Sequence, residues 1–341
     1  MPLPEKLSDS LALLPYQGPL SFARLWLEPE QRRREAIRSA RDRDLETLWS
    51  LVQAHHSLHT AGSSRHTLRT YFNGMRRWLV FTERHAVGLL RPKADEGALF
   101  VRELEAGQIP LERRNKKSGP DAPGRPLLPR PLSASSVNVY LAGARALYRA
   151  LRWADATDAD PFLDVRVGAD KVARWDKRSP YPQAAVEALL STGDARHRVT
   201  VLLGAHAGLR ASEIVGLRRE DLDLVAGRLK VIGKGNKLRV VNLSASLKHA
   251  LSGLLGHQPT QALIIGGTPE AARLRLRAVC LQIGVPFLSL HALRHSAGTR
   301  LVKSGRSLQD VARHLGHASV ATAEIYAKWA DESLKQELDN W

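Results

Sequence analysis

The chain has 341 residues, enough for two domains, and carries 51 Lys and Arg against 34 Asp and Glu, a net charge of +17 with neutral histidines. This charge favours a polyanionic partner such as nucleic acid, because basic side chains displace the counterions condensed on phosphates, although basic proteins of other classes share it. The single cysteine, Cys280, excludes an intrachain disulfide and a cysteine metal cluster and fits a reducing compartment.

Hydropathy gives no sign of a targeting or membrane segment. The N-terminus lacks a basic segment followed by an unbroken apolar run, and the apolar stretch Val201–Leu203 is far too short to span a bilayer. We therefore expect a soluble, cytoplasmic protein with no membrane partner.

Residues 1–42 form a predicted N-terminal extension that is irregular to about residue 40. The prolines that interrupt early helices are Pro2, Pro4, Pro15, Pro19 and Pro29. A basic run follows at Arg32–Arg34. We expect this extension to be loosely attached or to become ordered on a partner.

Residues 43–174 form a predicted all-α domain. From about 43 to 106 the sequence has a helical period, and its clearest apolar stripe consists of Leu68, Tyr71, Phe72, Met75, Trp78 and Leu79. The arginines that lie away from this stripe are Arg65, Arg69, Arg76 and Arg77. They fit either an ordinary solvated face or a face that contacts phosphates.

A basic, proline-rich segment interrupts this domain at residues 112–131. Its five prolines, two glycines and six basic residues are typical of a linker or of a basic loop lying on DNA. Ser133 or Ser135 then caps a second strong helix, with the apolar stripe Val137, Tyr140, Leu141, Ala144, Leu147, Tyr148 and Leu151. The basic residues off that stripe are Arg145, Arg149 and Arg152.

Residues 175–341 form the predicted second domain. Helical patterns through 186–219 precede two β-prone runs, Arg228–Ile232 and Leu238–Leu243, and the Gly-rich spacer of five residues between them predicts a hairpin. A third strand is expected at Ala262–Gly266. The predicted fold class is therefore mainly α with a small antiparallel sheet, as an all-α domain followed by a mixed α/β domain.

The C-terminal part of the chain returns to helices. Ser307 and Asp310 resemble a capping box, Gly316 ends that helix, and a further helix is expected to begin near Ser319. In the tail 331–341, the apolar residues at spacings of four and three are Leu334, Leu338 and Trp341. This stripe suits packing on a neighbouring subunit or on the chain's own domain.

Five short segments of the second domain carry polar residues of the types that catalysis uses. In chain order they carry Arg210 with Glu213, Lys234, His291 with Arg294, His317, and Tyr326. Taken singly, each residue is more often an ordinary surface or core position. Their joint occurrence in this order, inside one basic domain, is far rarer.

The set resembles the tyrosine recombinase family, also called the phage integrase family, which includes the Xer recombinases. The family pattern of Arg, hairpin Lys, His-x-x-Arg, a later His or Trp, and Tyr matches Arg210, Lys234, His291-x-x-Arg294, His317 and Tyr326. The neighbouring sequences match as well: GLRASEI, GKGNK, HALRHSAGT and LGHASVATAEIY. Two helices of the first domain, SSRHTLRTYFNGMRRWL and SASSVNVYLAGARALYRAL, resemble those of the family's core-binding domain, whereas residues 1–40 lie outside the resemblance.

The resemblance implies a SAM-like core-binding domain at 43–174 and a catalytic domain at 175–341, acting on a recombination site in double-stranded DNA. It implies cleavage and rejoining through a 3′-phosphotyrosyl intermediate with a free 5′ hydroxyl, and strand exchange through a Holliday junction. No cofactor, ATP or metal is expected, because the phosphotyrosine conserves the bond energy and basic side chains supply positive charge. A homotetramer on two DNA sites is expected, with or without a related second recombinase.

The residue types suit phosphoryl transfer. Arg210 and Arg294 can donate paired hydrogen bonds to the non-bridging oxygens, and His317 can donate one more. Tyr326 is the expected nucleophile, and its free pKa of about 10 means that it needs a base or an electropositive site. Lys234 is the expected general acid for the departing 5′ oxygen.

The remaining polar residues have less defined roles. His291 is the expected proton acceptor, with phosphate positioning as its alternative role, and Glu213 is expected to orient the neighbours of Arg210. Lys237 lies in the same hairpin loop as Lys234, which is preferred because it takes the place of the family's lysine in GKGNK.

Three other functions fit part of the pattern. A type IB topoisomerase would use similar chemistry but relax supercoils without recombining, so site-dependent strand exchange would separate the two. A non-catalytic DNA-binding protein on the same fold would be expected to have lost some of the six positions. A chaperone or an RNA-binding protein would need only the charge and leaves the six positions unexplained.

Overall fold

A computed structural model of the chain contains two compact units, Met1–Lys171 and Val172–Trp341. The residues that it describes are 26–60, 65–109, 112–113, 125–126, 130–169, 179–233, 238–256, 259–317 and 319–330. They are mainly helical with small antiparallel sheets, which confirms the predicted fold class. None of the helices in these ranges is long and apolar enough to cross a bilayer.

The first unit is built from helices whose ends are set by local polar residues. Its described elements are α1 (Pro29–Asp42), α2 (Leu45–His59), α3 (Arg65–Arg84), α4 (Ala94–Glu105), the strand pair β1 (Glu112–Arg113) and β2 (Arg125–Pro126), and α5 (Ala134–Trp153). The Asp44 carboxylate accepts from the backbone N–H groups of Glu46 and Thr47 at the start of α2, and Ser133 Oγ accepts from that of Ser136 at the start of α5. The predicted stripes of α3 and α5 pack into the core of this unit.

Helix α1 corrects the prediction that the chain is irregular to about residue 40 for the part from residue 26 onward, while residues 1–25 lie outside the described residues. Pro29 lies in the first helical turn, where its missing N–H would have had no partner, so it starts the helix instead of breaking it. Ala36 and Ala40 are buried, and Trp26, which is 1% exposed, donates from Nε1 to Ser50 Oγ at 3.0 Å. Trp26 and helix α1 therefore pack into the core of the first unit.

Two of the arginines that were predicted to lie on a solvated or phosphate-contacting face are buried instead. Arg76 and Arg77 are 3% and 8% exposed. Arg77 donates from Nη1 to the Ile109 carbonyl (2.8 Å), and its guanidinium carbon lies 4.3 Å from the centroid of the Tyr140 ring. Arg145 donates to two backbone carbonyls of the segment that follows α5. The apolar period identifies one buried face of a helix and gives no signal for a second face that another segment covers.

The second unit combines helices with a three-stranded antiparallel sheet. Its described helices are α6 (Gln183–Ser191), α7 (Ala195–Ala205), α8 (Ala211–Gly216), α9 (Ala245–Leu255), α10 (Pro269–Gln282), α11 (Leu290–Lys303), α12 (Leu308–Leu315) and α13 (324–330). The sheet has the order β3 (Leu222–Asp223), β4 (Arg228–Ile232), β5 (Leu238–Asn242).

The sheet contains the expected hairpin but not the expected third strand. In the β4–β5 pair, Ile232 lies opposite Leu238. The third strand is β3, whereas the predicted strand at 262–266 makes a single β-bridge, between Leu263 and Arg218, in the described part of the chain. The two isoleucines of that segment are buried in the core, which explains its strand-like composition without ladder pairing.

Three predicted features lie outside the described residues. They are the hairpin loop with Lys234 and Lys237, most of the basic segment 112–131, and the tail 331–341.

Helices α3 and α5 cross at two glycines. A Cβ on Gly74 would lie 2.9 Å from the Gly143 Cα and would overlap the Tyr140 carbonyl oxygen, while a Cβ on Gly143 would overlap the Tyr71 carbonyl oxygen. The two helix backbones are therefore in direct contact, and neither side leaves room for a methyl group.

Replacing Gly74 by alanine should lower the free energy of unfolding by about 1–3 kcal/mol, because the added methyl group meets backbone atoms that cannot rotate away. Gly88→Ala is the matched control: Gly88 is exposed, and a Cβ there would meet nothing within 4 Å. That variant should stay within about 0.5 kcal/mol of the parent protein in urea unfolding. Equal effects of the two substitutions would contradict the close helix crossing.

Candidate active site

Four segments of the second unit meet around the polar residues singled out in the sequence. They are the turn between α7 and α8, the first half of α11, the turn after α12, and α13. In the first turn Gly208 has φ +67°, a left-handed conformation that suits glycine, and a Cβ there would overlap Leu315. Gly208 thus lets this turn pack on the end of α12 and places Arg210 at the N-cap of α8.

Arg294 is the buried centre of the site. It is 1% exposed; Nη1 donates to the Gly208 carbonyl (2.5 Å) and Nη2 to the Leu315 carbonyl (2.7 Å). Burial, followed by the charge of Arg210, lowers the pKa of Arg294 to about 10, so the guanidinium remains charged at neutral pH. Arg294 therefore ties the turn before α8 to the end of α12.

Arg210 is the more accessible of the two predicted arginines. Its side chain is 30% exposed, Nη1 donates to Glu213 Oε1 (2.8 Å) and Nη2 to the Gly316 carbonyl (3.2 Å). The guanidinium groups of Arg210 and Arg294 thus bind the consecutive carbonyls of Gly316 and Leu315, which brings both positive charges next to the turn after α12.

Glu213 holds Arg210 by both its backbone and its side chain. Oε2 accepts from the backbone N–H of Arg210 (2.8 Å), and both carboxylate oxygens also accept from Arg239 of β5, at 3.0 and 2.8 Å. Burial by itself raises the pKa of Glu213, but the hydrogen bonds from Arg239 and Arg210 outweigh burial and lower the pKa to about 2. Glu213 is therefore ionised throughout the working pH range.

His317 follows the left-handed Gly316, which ends α12 as predicted. Burial is the largest cause that lowers the pKa of His317, to about 4, and the charges of Arg294 and Arg210 lower it further. The ring is therefore neutral at pH 7 and carries one N–H. Its Nδ1 is buried and has no hydrogen-bond partner among the described residues.

Tyr326 lies in α13 with its ring almost fully covered. It is 1% exposed, its ring stacks on His317 with centroids 5.8 Å apart and planes 15° apart, and a Cβ on Gly298 would fall 2.5 Å from its Cε1. Burial raises the pKa of Tyr326 to about 12, although the charges of Arg294 and Arg210 act in the opposite direction. The phenol is therefore protonated in this conformation.

His291 lies in the first turn of α11, whose start is capped by Ser289 Oγ accepting from the N–H of Ala292 (3.1 Å). Its ring meets the ring of His295 edge-on, with centroids 5.0 Å apart, and His295 lies 5.9 Å from the Tyr326 ring. His291 thus borders the site on the side of His295 and is half-buried.

The second unit therefore brings most of the predicted constellation together. Arg210, Arg294, His317 and Tyr326 form one connected cluster, with His291 at its border, whereas Lys234 falls outside the described residues. Glu213 was expected to orient the neighbours of Arg210, and it binds Arg210 itself.

Sequence reasoning missed Arg239 and His295. Arg239 stands two residues before the buried Val241 in a predicted strand, and residues two apart in a strand face the same side. A basic residue on the inward face of a strand, next to outward apolar residues, was therefore the signal that could have identified Arg239. His295 follows Arg294 directly and gave no comparable signal.

The cluster is suited to bind an anion with dispersed charge beside a hydroxyl group. Arg210, Arg239 and Arg294 bring three positive charges to the site, and Glu213 brings one negative charge. Planar guanidinium groups match the paired oxygens of a phosphate. In the described part of the chain, no three His, Cys, Asp or Glu side chains are arranged to hold a metal ion.

Comparison with known proteins places this chain among DNA recombinases. Residues 182–333 match the phage integrase family. Tyrosine recombinase XerC of Rhodospirillum centenum is 31% identical over 300 residues, which cover 81% of this chain and 81% of that protein. Tyrosine recombinase XerC of Azotobacter vinelandii is 36% identical over 194 residues, which cover 54% of this chain and 57% of that protein.

Two solved structures are similar in fold. The Tn1549 transposon integrase in complex with transposon right end DNA has a TM-score of 0.59 at 17% identity, covering 86% of this chain and 99% of that one. A lambda integrase dimer bound to a COC′ core site has a TM-score of 0.57 at 17% identity, covering 82% of this chain and 75% of that one.

The ionised Glu213 should stabilise the fold in a pH-dependent way. Its pKa is lowered from an ordinary value of 4.5 to about 2, so its stabilisation is present above pH 4.5 and is lost as the pH falls toward 2. Glu213→Gln should therefore lower the free energy of unfolding at pH 7 by about 3 kcal/mol, and the difference from the parent protein should shrink below pH 4.5.

The control for this titration is Glu270→Gln, which removes an exposed carboxylate that pairs with Arg273 three residues away. Exposed pairs of this kind contribute little to stability, so this variant should follow the parent protein across the pH range. If the difference in free energy of unfolding between Glu213→Gln and the parent protein stayed constant from pH 7 to pH 2, the low pKa of Glu213 would be contradicted.

Proposed function

The chain belongs to the phage integrase family of tyrosine recombinases, which break and rejoin DNA, and we propose that it is a site-specific recombinase with Tyr326 as its nucleophile. Membership rests on the 31% identity to a XerC recombinase across 81% of both chains. The assignment of the described residues rests on this chain's own geometry, whereas that of Lys234 rests on its match to the family pattern.

One observation carries the proposal: the only tyrosine of α13 stacks on a neutral histidine, near two fixed guanidinium groups from separate segments whose charges lower its pKa. Tyr326 stacks on His317, and Arg294 and Arg210 bind the two carbonyls just before His317. A tyrosine that served only as core would not require three cationic or polar partners around it. Such donors, fixed before reaction, are the means by which a developing phosphorane charge is stabilised.

In the proposed cleavage step the Tyr326 oxygen attacks the scissile phosphorus. The Tyr326 O–P bond forms, the bond from phosphorus to the 5′ oxygen breaks, and a 3′-phosphotyrosyl intermediate results. His291 accepts the tyrosine proton, and Lys234 donates a proton to the departing 5′ oxygen. The reverse attack by a 5′ hydroxyl of a second strand reseals the DNA and exchanges strands, through a Holliday junction and without ATP.

The cationic residues have distinct parts in this step. Each guanidinium group has five N–H donors, and Arg210, at 30% exposure, can offer its remaining donors to the phosphate directly. Arg294 is buried, so it contributes through its charge, and it contacts the phosphate only after Tyr326 has left its buried position. His317 is neutral, so it donates a single N–H to a phosphate oxygen and adds no net charge.

The wider assignment extends the same proposal. We assign DNA binding to residues 43–174 as a core-binding domain and catalysis to 175–341, with residues 1–42 as an extension. Double-stranded DNA is the proposed partner, bound by a homotetramer on two sites in the cytoplasm, with or without a related second recombinase. The names of the relatives support the recombinase activity, and the DNA present in the two similar structures supports a DNA partner.

Tyr326→Phe should abolish covalent attachment to DNA, because it removes the hydroxyl proposed to attack the phosphorus. The probe is a pool of nicked duplexes of randomised sequence, in which release of a short 5′ fragment traps the intermediate. Covalent complexes with the unmodified chain are recovered on denaturing gels and sequenced, which also identifies the cleaved site. Tyr71→Phe, in the first unit, is the control and should form the adduct normally.

Two results would contradict this assignment. Adduct formation by Tyr326→Phe would move the nucleophile elsewhere, and failure of the unmodified chain to form any adduct with the pool would remove the proposed reaction. Relaxation of plasmids that lack the recovered site, without strand exchange at that site, would instead indicate a type IB topoisomerase.

Affinity for the recovered duplex should fall steeply with salt, because phosphate contacts dominate it. Arg210→Gln should reduce the slope of log affinity against log salt concentration by about 1, since one phosphate contact is lost. It should also slow adduct formation far more than it weakens binding. Affinities are measured by fluorescence anisotropy, and Tyr326→Phe, the control, should keep the slope of the parent protein. An unchanged slope for Arg210→Gln would exclude its contact with the phosphate.

A further inference from the structure

We propose that Arg239 is a positioning residue for the cleavage reaction that acts through Glu213. It fixes Arg210 in place and offsets the negative charge of Glu213, so that Arg210 keeps its positive charge for the phosphate. This inference rests on the proposed function, since it concerns the same phosphate site. It assigns a part in the reaction to a residue of strand β5 that itself need not touch the DNA.

The first support is the geometry at the Glu213 carboxylate. Arg239 Nη1 and Nη2 donate to Oε1 and Oε2 as a two-bond fork, at 3.0 and 2.8 Å. Each of the same oxygens also accepts from Arg210, one from Nη1 and one from the backbone N–H. Because both oxygens are shared, the carboxylate cannot rotate without breaking contacts to both arginines. The fork from Arg239 therefore fixes the direction in which Glu213 holds Arg210.

The second support is the space made for the Arg239 side chain. Arg239 is 11% exposed although its strand neighbours Leu238 and Val240 are 63% and 55% exposed. Its side chain lies flat on Gly316, where a Cβ would be 2.8 Å from Arg239 Cδ and 3.1 Å from Nε. Gly316 also supplies the carbonyl that binds Arg210. Arg239 thus packs between the carboxylate and the carbonyl that hold Arg210 in place.

The third support is the balance of charge. Glu213 alone would hold Arg210 but would also neutralise much of its positive charge, which the reaction needs for the phosphate. Arg239 supplies a second cation to the same carboxylate, so the group of Arg210, Glu213 and Arg239 keeps a net positive charge. A positioned guanidinium that retains its charge is the arrangement that favours binding of the transition state.

The position of Arg239 in the chain gives this contact a further consequence. Arg239 is the second residue of β5, which directly follows the loop that carries Lys234. The proposed general acid and the positioning of Arg210 are therefore linked through one strand.

The test uses the full-length chain and the nicked duplex recovered with it. Arg239→Met, which keeps the aliphatic stem, should slow single-turnover adduct formation by roughly 100-fold, since a displacement of about 1 Å at a reacting group costs that much. Affinity for the duplex should change less than about threefold. Arg239→Lys keeps the charge without the fork and should restore the rate only in part.

The matched control is Arg228→Met. Arg228 is an exposed arginine at the far end of the same hairpin, in β4 opposite Asn242, so its removal changes the net charge equally without touching Glu213. Its adduct rate should stay within about threefold of the parent rate. Urea unfolding of both variants checks that the second unit remains folded.

The pH profile of the adduct rate separates positioning from a general loss of structure. In the parent protein Glu213 stays ionised at any working pH. Loss of Arg239 removes the largest of the contacts that oppose burial and leaves only those from Arg210, so the pKa of Glu213 rises. Arg239→Met should therefore lose activity as the pH falls through that raised pKa. Arg210, Arg294, His314 and His317 also face this cluster, and Arg239 helps to lower the pKa of both histidines. The double variant Arg239→Met with Glu213→Gln should lack the acid limb if Glu213 causes it.

The outcomes are distinct for the two proposals. If the unmodified chain forms the adduct and Arg239→Met matches its rate and pH profile, Arg239 is not a positioning residue. The same conclusion follows if Arg228→Met is as slow as Arg239→Met, or if Arg239→Met lowers rate and affinity equally. If the unmodified chain forms no adduct, the proposed function itself fails.

Discussion

A buried carboxylate determines the geometry of the site. Glu213 is 5% exposed, and burial alone would favour its protonated form; hydrogen bonds from Arg239 and Arg210 reverse that preference. A buried charge is tolerated only while its partners are in place, and removing one partner leaves a large desolvation cost. Glu213 therefore makes the start of α8, strand β5 and, through Arg210, the turn after α12 depend on one another.

Glycines supply the close approaches that this network needs. Gly208 makes room for Leu315, Gly316 for the Arg239 side chain, and Gly298 for the Tyr326 ring. In each case a bulky group lies directly on backbone, so the site is assembled by contact between segments and not by long side chains reaching across a gap. This explains how residues from separate elements converge within hydrogen-bond distance.

The sequence predicted the order of chemical residues far better than their surroundings. The residues from Arg210 to Tyr326 were identified because their types and order match the pattern of a family with a known reaction. The hairpin and the helix ends at Ser307 and Gly316 follow from local rules of turns and caps. Burial of Arg77 and packing of α1 depend on segments distant in the chain, which periodicity does not report. Arg239 was missed for the same reason: its partner Glu213 is 26 positions away, and only the fold brings them together.

In this conformation the proposed nucleophile, Tyr326, is buried and protonated and is therefore not ready to react. Tyr326 is buried, protonated and stacked on a neutral His317, and its burial opposes the effect of two nearby guanidinium charges on its pKa. In the proposed reaction, a DNA phosphate that enters the site would satisfy those charges and so lower the cost of rearranging the groups that surround the ring. Uncovering the ring costs about 2 kcal/mol of apolar burial, a cost that a few charge-assisted phosphate contacts can offset. On this proposal reactivity is conditional on the substrate, because the charges that would activate the hydroxyl are those that would bind the phosphate.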